Sequence, residues 1–256
     1  MVDLGTITSD RLVSDKVLQN TISKIIFDKG MEYSRLNRPE IVQAVDMQND
    51  LEIILPGIDS ISIHEDVGEG QKVGVTNAKM FSKEIRLRKC SGVISVTDEA
   101  KIRAGAHGLN LVDLQINRLS SALAEVVDKQ ILTGLDTTPQ AGATFSIQSD
   151  GIYSAYADAE AKIDKAITAV VMSPEAAVLV YKWTNKDFGG SNPASPYNGA
   201  NIPGLGTPII ATPLLRGRHD MYFVSAELEA ILFGSRAPQT YAWRNYEAGV
   251  DNLRVD

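Results

Sequence analysis

One cysteine, Cys90, stands in 256 residues. An intramolecular disulfide is thereby impossible, zinc sites built from several cysteines are excluded, and Cys90 itself reads as a small buried hydrophobe. Histidine is scarce too, with only His64, His107 and His219. A Cys/His hydrolase would have to pair Cys90 with His107, and no third group stands in a recognisable context to orient that histidine. Long apolar runs are missing: no stretch approaches the ~20 residues of a membrane helix. Residues 1–10 lack the basic and apolar regions of a signal peptide. The chain therefore reads as soluble and unexported, with no membrane partner. Positive charge is in deficit, 25 Lys plus Arg against 32 Asp plus Glu, for a net charge of -7. Tight, sequence-independent binding to phosphate backbones has no electrostatic source here. Lys83, Arg86, Arg88, Lys89, Lys101 and Arg103 do concentrate positive charge locally, which suits a solvated face or a rim that meets an acidic neighbour.

Candidate chemistry is equally sparse. The segment Gly68-Glu69-Gly70-Gln71-Lys72-Val73-Gly74 has neither dinucleotide-loop spacing nor a GKS/T ending, so it reads as a hairpin tip. His64 with Glu65 and Asp66 reads as a set of solvated loop charges. No catalytic residue, metal site or cofactor is expected.

What the sequence does contain is ordinary globular composition, 44% hydrophobic and 22% charged, enough to build a substantial core or two small lobes. Its clearest element runs from Asn110 to Gly134, where Val112, Ile116, Leu119, Leu123, Val126 or Val127, and Ile131 draw one apolar stripe at helical spacing. Gln115, Arg118, Ser121, Glu125 and Lys129 fill the opposite face, with Glu125 and Lys129 placed to pair. Asn110 is suited to cap the helix and Gly134 to stop it.

Upstream, residues 1–50 read as an arm holding a helix capped by Ser9 or Asp10 and running through Leu18, Ile22 and Ile26. Its apolar positions must pack on another part of the molecule or on a neighbouring copy. Leu51–Leu55 reads as a strand ended by Pro56 and Gly57, Ser60–His64 alternates again, and Glu65–Lys79 reads as a projecting, charged hairpin. Phe81–Lys89 alternates as a half-buried return strand, Val93–Val96 is a further strand, and Thr97 caps a short helix opening on Asp98 and Glu99. Downstream, Ile152–Ile163 reads as a helix and Ile167–Met172 as a buried strand. Ser173-Pro174-Glu175 starts a helix ending near Trp183, and residues 185–206 form a long Gly/Pro-rich loop. Ile209–Ala211, Met221–Val224 and Thr240–Trp243 supply short strands.

The order of these pieces carries a resemblance. FSKEIRLRKCSGVISVTDEA leads into a long helix holding LSSALAEVVDKQILTG, followed by AVVMSPEAAVLVYKW, IPGLGTPIIATPLL and MYFVSAELEAILFG. This series resembles the major capsid protein of tailed double-stranded DNA viruses, the Hong Kong 97-type fold. The shared features are a Ser/Thr-Asp-Glu helix before the spine, an Asp-rich Leu-Gly stop at Asp128–Gly134, a Met-x-Pro strand end and a Gly-x-Pro strand.

The resemblance implies an α+β chain with a long spine helix, a peripheral sheet, an extended loop and an α/β axial lobe. Its divisions would be an N-terminal arm at 1–50, an extended E-loop hairpin with flanking strands at 51–90 and a peripheral domain with the spine at 91–134. An axial domain at 135–235 and a return to the peripheral domain at 236–256 would complete it. It implies a structural protein that self-assembles into the icosahedral head around packaged double-stranded DNA, in a virion assembled in the host cytoplasm. The partners implied are other copies in pentamers and hexamers, scaffolding, portal or decoration proteins, and DNA through weak non-specific contact. Assembly contacts are expected on Glu65, Asp66, Glu69, Lys72, Lys79, Lys83, Arg86 and Arg88. Some members of the family join subunits through a lysine and an asparagine, for which Lys72 or Lys79 and Asn252 are the available residue types. Two other readings are an encapsulin-like nanocompartment shell and a soluble enzyme using residues 185–206 as a lid.

Overall fold

The structure, a computed structural model, describes residues 15–47, 52–58, 80–87, 89–106, 111–137, 151–163, 166–187, 201–202, 205–218, 220–226, 232–236, 238–248 and 250–256. Its axis is the spine helix, Leu111–Thr137, about 40 Å long at 1.5 Å per residue. Among the described residues, four small sheets and the remaining helices are distributed along this rod.

The first core lies against the N-terminal half of the spine. A helix at Lys16–Tyr33, capped by Asp15 Oδ1 accepting from the Val17 and Leu18 amides, packs beside the spine through Ile22 and Ile26. Below them lies a three-stranded antiparallel sheet in the order β4 (Gly92–Thr97), β10 (Val250–Val255), β9 (Thr240–Asn245). Alternate residues Ile94, Val96, Leu253 and Val255 face Val112 and Ile116, as period-two strands over a helical stripe require. Each fully buried isoleucine contributes roughly 1.5–3 kcal/mol relative to exposure. Two glycines permit the close approach: a Cβ on Gly30 would lie 2.7 Å from Leu123, and one on Gly92 would lie 2.2 Å from Leu119.

The C-terminal half of the spine meets a second sheet, in the order β6 (Ile209–Ala211), β5 (Ala169–Met172), β7 (Met221–Val224). β5 is covered on both faces, which explains its unbroken apolar run. Ala169 and Val171 face a core with Ile131, Leu135, Leu36 and Ile41, whereas Val170 and Met172 face helices Gly151–Ile163 and Pro174–Asp187 through Ile152, Tyr156 and Ala177. Ser173 Oγ caps the latter helix by accepting from the Ala176 amide at 3.1 Å, with Pro174 at its first position. β1 (Gln43–Asp46) pairs in parallel with β8 (Leu232–Ser235), and β2 (Glu52–Ile58) pairs with β3 (Met80–Arg86) as an antiparallel ribbon.

Several expectations need correction. The spine passes through Gly134 and ends at Thr137, because Leu135 has a buried place in the second core and that burial outweighs glycine's poor helix propensity. β2 continues through Pro56 and Gly57 to Ile58. A two-stranded ribbon has open edges, where a proline without an N–H is tolerated. The first helix takes its cap from Asp15, while Ser9 and Asp10 lie outside the described residues. Of the apolar positions before residue 50, expected to pack on another part of the molecule or on a neighbouring copy, Leu36, Ile41 and Val42 are buried between spine and second sheet. The helix expected to end near Trp183 reaches Asp187. Cys90 is only half-buried and accepts a weak hydrogen bond from Gln130 Nε2 at 3.8 Å. On the spine, Val127 is buried and Val126 is 36% exposed, which decides the alternative in the stripe.

Candidate assembly surface

The surfaces able to meet other molecules are best built from the hairpin outward. β2 and β3 leave the body side by side, with Glu52 opposite Arg86, Ile53 opposite Ile85 and Leu55 opposite Lys83. Alternation puts Ile85 inward, against Gly234 of β8, where a Cβ would lie 2.8 Å from the isoleucine methyl. The root of the ribbon is therefore seated on a bare backbone. The outward row is charged. Arg86 contacts Glu84 and lies 3.7 Å from Glu52, all three exposed. Hydrogen bonds from Glu52 and Arg86 hold the Glu84 carboxyl below the usual range, the same bond to Glu84 pushes Glu52 up, and Glu84 raises Arg86. Of the eight residues expected at assembly contacts, Arg86 is described with its side chain and Lys83 by its place on β3. Glu65, Asp66, Glu69, Lys72, Lys79 and Arg88 lie outside the described residues, as do His64, His107 and His219.

The positive cluster is partly neutralised within the chain. Besides Arg86, Lys89 pairs with Asp256 at 2.8 Å, and Asp256 also binds Arg254. These two cations, Lys89 first, hold the Asp256 carboxyl below its ordinary value. On the spine's polar face, Glu125 and Lys129 form the expected pair at 2.7 Å, with Arg118 and Ser121 exposed beside them. Gln115 turns aside and donates to the Ser95 carbonyl of β4 at 2.8 Å. Asn252, one half of the family's covalent pair by residue type, accepts from Ser95 Oγ at 2.7 Å on the outer sheet face.

An apolar groove of about 410 Å³ opens between the N-terminal helix, the spine and the end of β8, lined by Phe27, Met31, Leu119, Leu123 and Phe233, with Cys90 and Arg236 beside them. Single-sequence periodicity missed it because the groove is an unfilled gap between three elements distant in the chain. Also missed were two polar joints. Asp128 on the spine binds the Ser34–Leu36 turn. Arg218 grips Asp136 with both terminal nitrogens at 3.2 and 3.0 Å and touches Asp220 and Tyr222. That grip, with help from Tyr222, lowers the Asp136 pKa, while burial and Asp136 push Tyr222 up to about 12. Among the described residues no cluster of His, Cys, Asp and Glu could hold a metal ion. No helix among them is long and apolar enough to cross a membrane.

Comparison with known proteins turns these surfaces into a recognisable object. No curated protein matches the sequence. Solved structures do match: a Mycobacterium phage Che8 structure at TM-score 0.55 and 18% identity, covering 81% of this chain and 78% of that one. A Microbacterium phage Oxtober96 structure matches at TM-score 0.57 and 11% identity, covering 84% and 80%. The capsid of a native GTA particle with C5 symmetry matches at TM-score 0.57 and 12% identity, covering 87% and 84%. The fold is of the Hong Kong 97 type. The sequence model of a family described as phage capsid protein matches residues 81–256. With well over half of its length inside that match, this chain belongs to the phage capsid protein family and is a structural major capsid protein.

Proposed function

We propose that this chain self-assembles through pentamers and hexamers into an icosahedral head that encloses double-stranded DNA, without carrying out chemistry of its own. The observation that supports this best is the distribution of the fold along one rod. Among the described residues, two small cores lie along a 27-residue helix and a third lies beyond β5; a subunit spread out in this way, with a ribbon leaving its side, offers broad flat contacts to several neighbours at once. In this reading the E-loop is the β2–β3 hairpin, the peripheral domain is the spine with the β4, β10, β9 sheet, and the axial domain is built on β5. The pairing of β10 with β4 supports a C-terminal return to the peripheral domain. Glu65, Asp66, Glu69, Lys72, Lys79, Lys83, Arg86 and Arg88 would supply modest charge pairs between copies, each worth little alone and therefore reversible during assembly. A net charge of -7 suits a wall that does not trap the DNA it contains. Assembly would occur in the host cytoplasm, with scaffolding, portal or decoration proteins as further partners.

The test is the particle itself. Purified protein should sediment as capsomers or closed shells and show them by negative-stain microscopy. A strict monomer at high concentration and moderate salt would sink the proposal. Shells that recruit an enzyme cargo and exclude DNA would instead favour a nanocompartment.

A further inference from the structure

The spine carries an unfilled hole on one side and an uncovered knob on the other. The hole is the apolar groove over Leu119, Leu123 and Phe27. Arg236 in its wall is half-buried, yet makes no ion pair or hydrogen bond with a described residue. The knob is the short helix Asp98–Ala106 where it meets the start of the spine: Ile102 is 75% exposed and Leu114 48% exposed. One turn before Ile102, Glu99 is exposed and likewise makes no ion pair with a described residue. At 3.6 residues per turn, Leu114 lies about 140° around the spine from Leu119 and about 180° from Leu123. Leu114, at the start of the spine, therefore faces away from the groove residues of the same rod.

We infer that the Ile102 knob of one copy seats in the spine groove of the next, with Glu99 reaching Arg236. The occupant is a second copy because this chain supplies both complements: apolar surface for apolar surface, and a carboxylate and a guanidinium that make no ion pair among the described residues. Both charges would lose water together, where an Arg–carboxylate pair is strongest. A contact made by two different patches is heterologous, so repetition propagates from copy to copy and forms a ring where the rotation closes. This rests on the capsid reading above and specifies which surfaces of neighbouring subunits meet.

Cys90 provides a reporter, since it lines the groove and is the only cysteine in the chain. In Ile102→Cys protein, mild oxidation of assembled material joins the new thiol to Cys90 of the neighbour, if the two Cα atoms come within about 7 Å. Non-reducing gels should show a ladder of dimer, trimer and higher species, and Cys90→Ser in the same background should abolish it. Monomer alone, or a dimer that persists without Cys90, would overturn the inference. Independently, Glu99→Arg and Arg236→Glu should each lower particle yield about tenfold, and the double reversal should restore it. Unchanged circular dichroism controls for folding. Single variants that assemble normally, or a double variant no better than either single, also overturn it. Unmodified protein forming shells in the same buffer keeps the capsid reading intact whatever the variants do, whereas its failure to assemble counts against both.

Discussion

Ser34 donates its hydroxyl to Asp128 Oδ1 at 2.5 Å, joining the turn after the N-terminal helix to the middle of the spine. The same carboxylate accepts from the Leu36 amide at 3.0 Å and, through Oδ2, from the Arg35 amide at 3.2 Å. Arg35 then donates to the Ala211 carbonyl of β6 at 3.0 Å, so one buried acid ties together N-terminal turn, spine and second sheet.

Asp128→Ala should therefore be costly. It leaves a hydroxyl and two backbone N–H groups without their acceptor, and an orphaned buried donor costs about 1–3 kcal/mol. Chemical denaturation of the unassembled subunit should show a loss of that order or more. Asp128→Asn, which keeps one acceptor oxygen, should lose less.

Gly92→Ala should weaken the seat of the β4 sheet on the spine, because its new methyl would meet Leu119 Cδ1 at 2.2 Å. Overpacking of this kind costs about 1–3 kcal/mol. Leu119→Ala in the same chain should recover part of the loss, and a double-mutant cycle on thermal midpoints measures the coupling. Strict additivity would show that the two sites do not touch.

The Asp136–Arg218–Tyr222 joint should respond at both ends of the pH scale. Asp136 has a folded pKa below its ordinary value of 3.8, so its contribution is present above that value and is lost as pH falls through the lower folded one. Tyr222 is neutral in the fold up to about 12 whereas an ordinary tyrosine ionises near 10, so stability should decline between those limits as the unfolded chain loses its proton. Asp136→Asn should flatten the acid limb, and Tyr222→Phe the alkaline one, in unfolding measured against pH.

Removing residues 68–79 should leave a folded subunit, since the paired part of the hairpin is Glu52–Ile58 with Met80–Arg86. Shell formation should stop, as judged by sedimentation, while circular dichroism is preserved. Particles of normal size would show that the segment is dispensable.

Much of this architecture was legible in the sequence wherever a local pattern met a local cause. The spine stripe, the Thr97 and Ser173 caps, the Glu125–Lys129 pair and the doubly buried β5 each follow from spacing within a few residues. β1, β8 and β10 escaped the reading. Gln43–Asp46 and Leu232–Ser235 are four-residue strands that find their ladder partners in each other, across the length of the chain. Val250–Val255 alternates charge with apolar residues so weakly that only its two flanking strands define it.

The sequence by itself determined which segments are helix, which faces are apolar and that the pieces follow the order of a capsid subunit, because those depend on neighbours three or four residues away. Tertiary structure alone decided that Gly134 continues a helix instead of ending it and that Leu36, Ile41 and Val42 pack between the spine and the second sheet. It also decided that Arg236 lines an open groove with no ion pair among the described residues while Arg86 is matched within its own hairpin. In each case the outcome is set by burial or by a charge held in place by distant backbone, and no short window of sequence contains those partners.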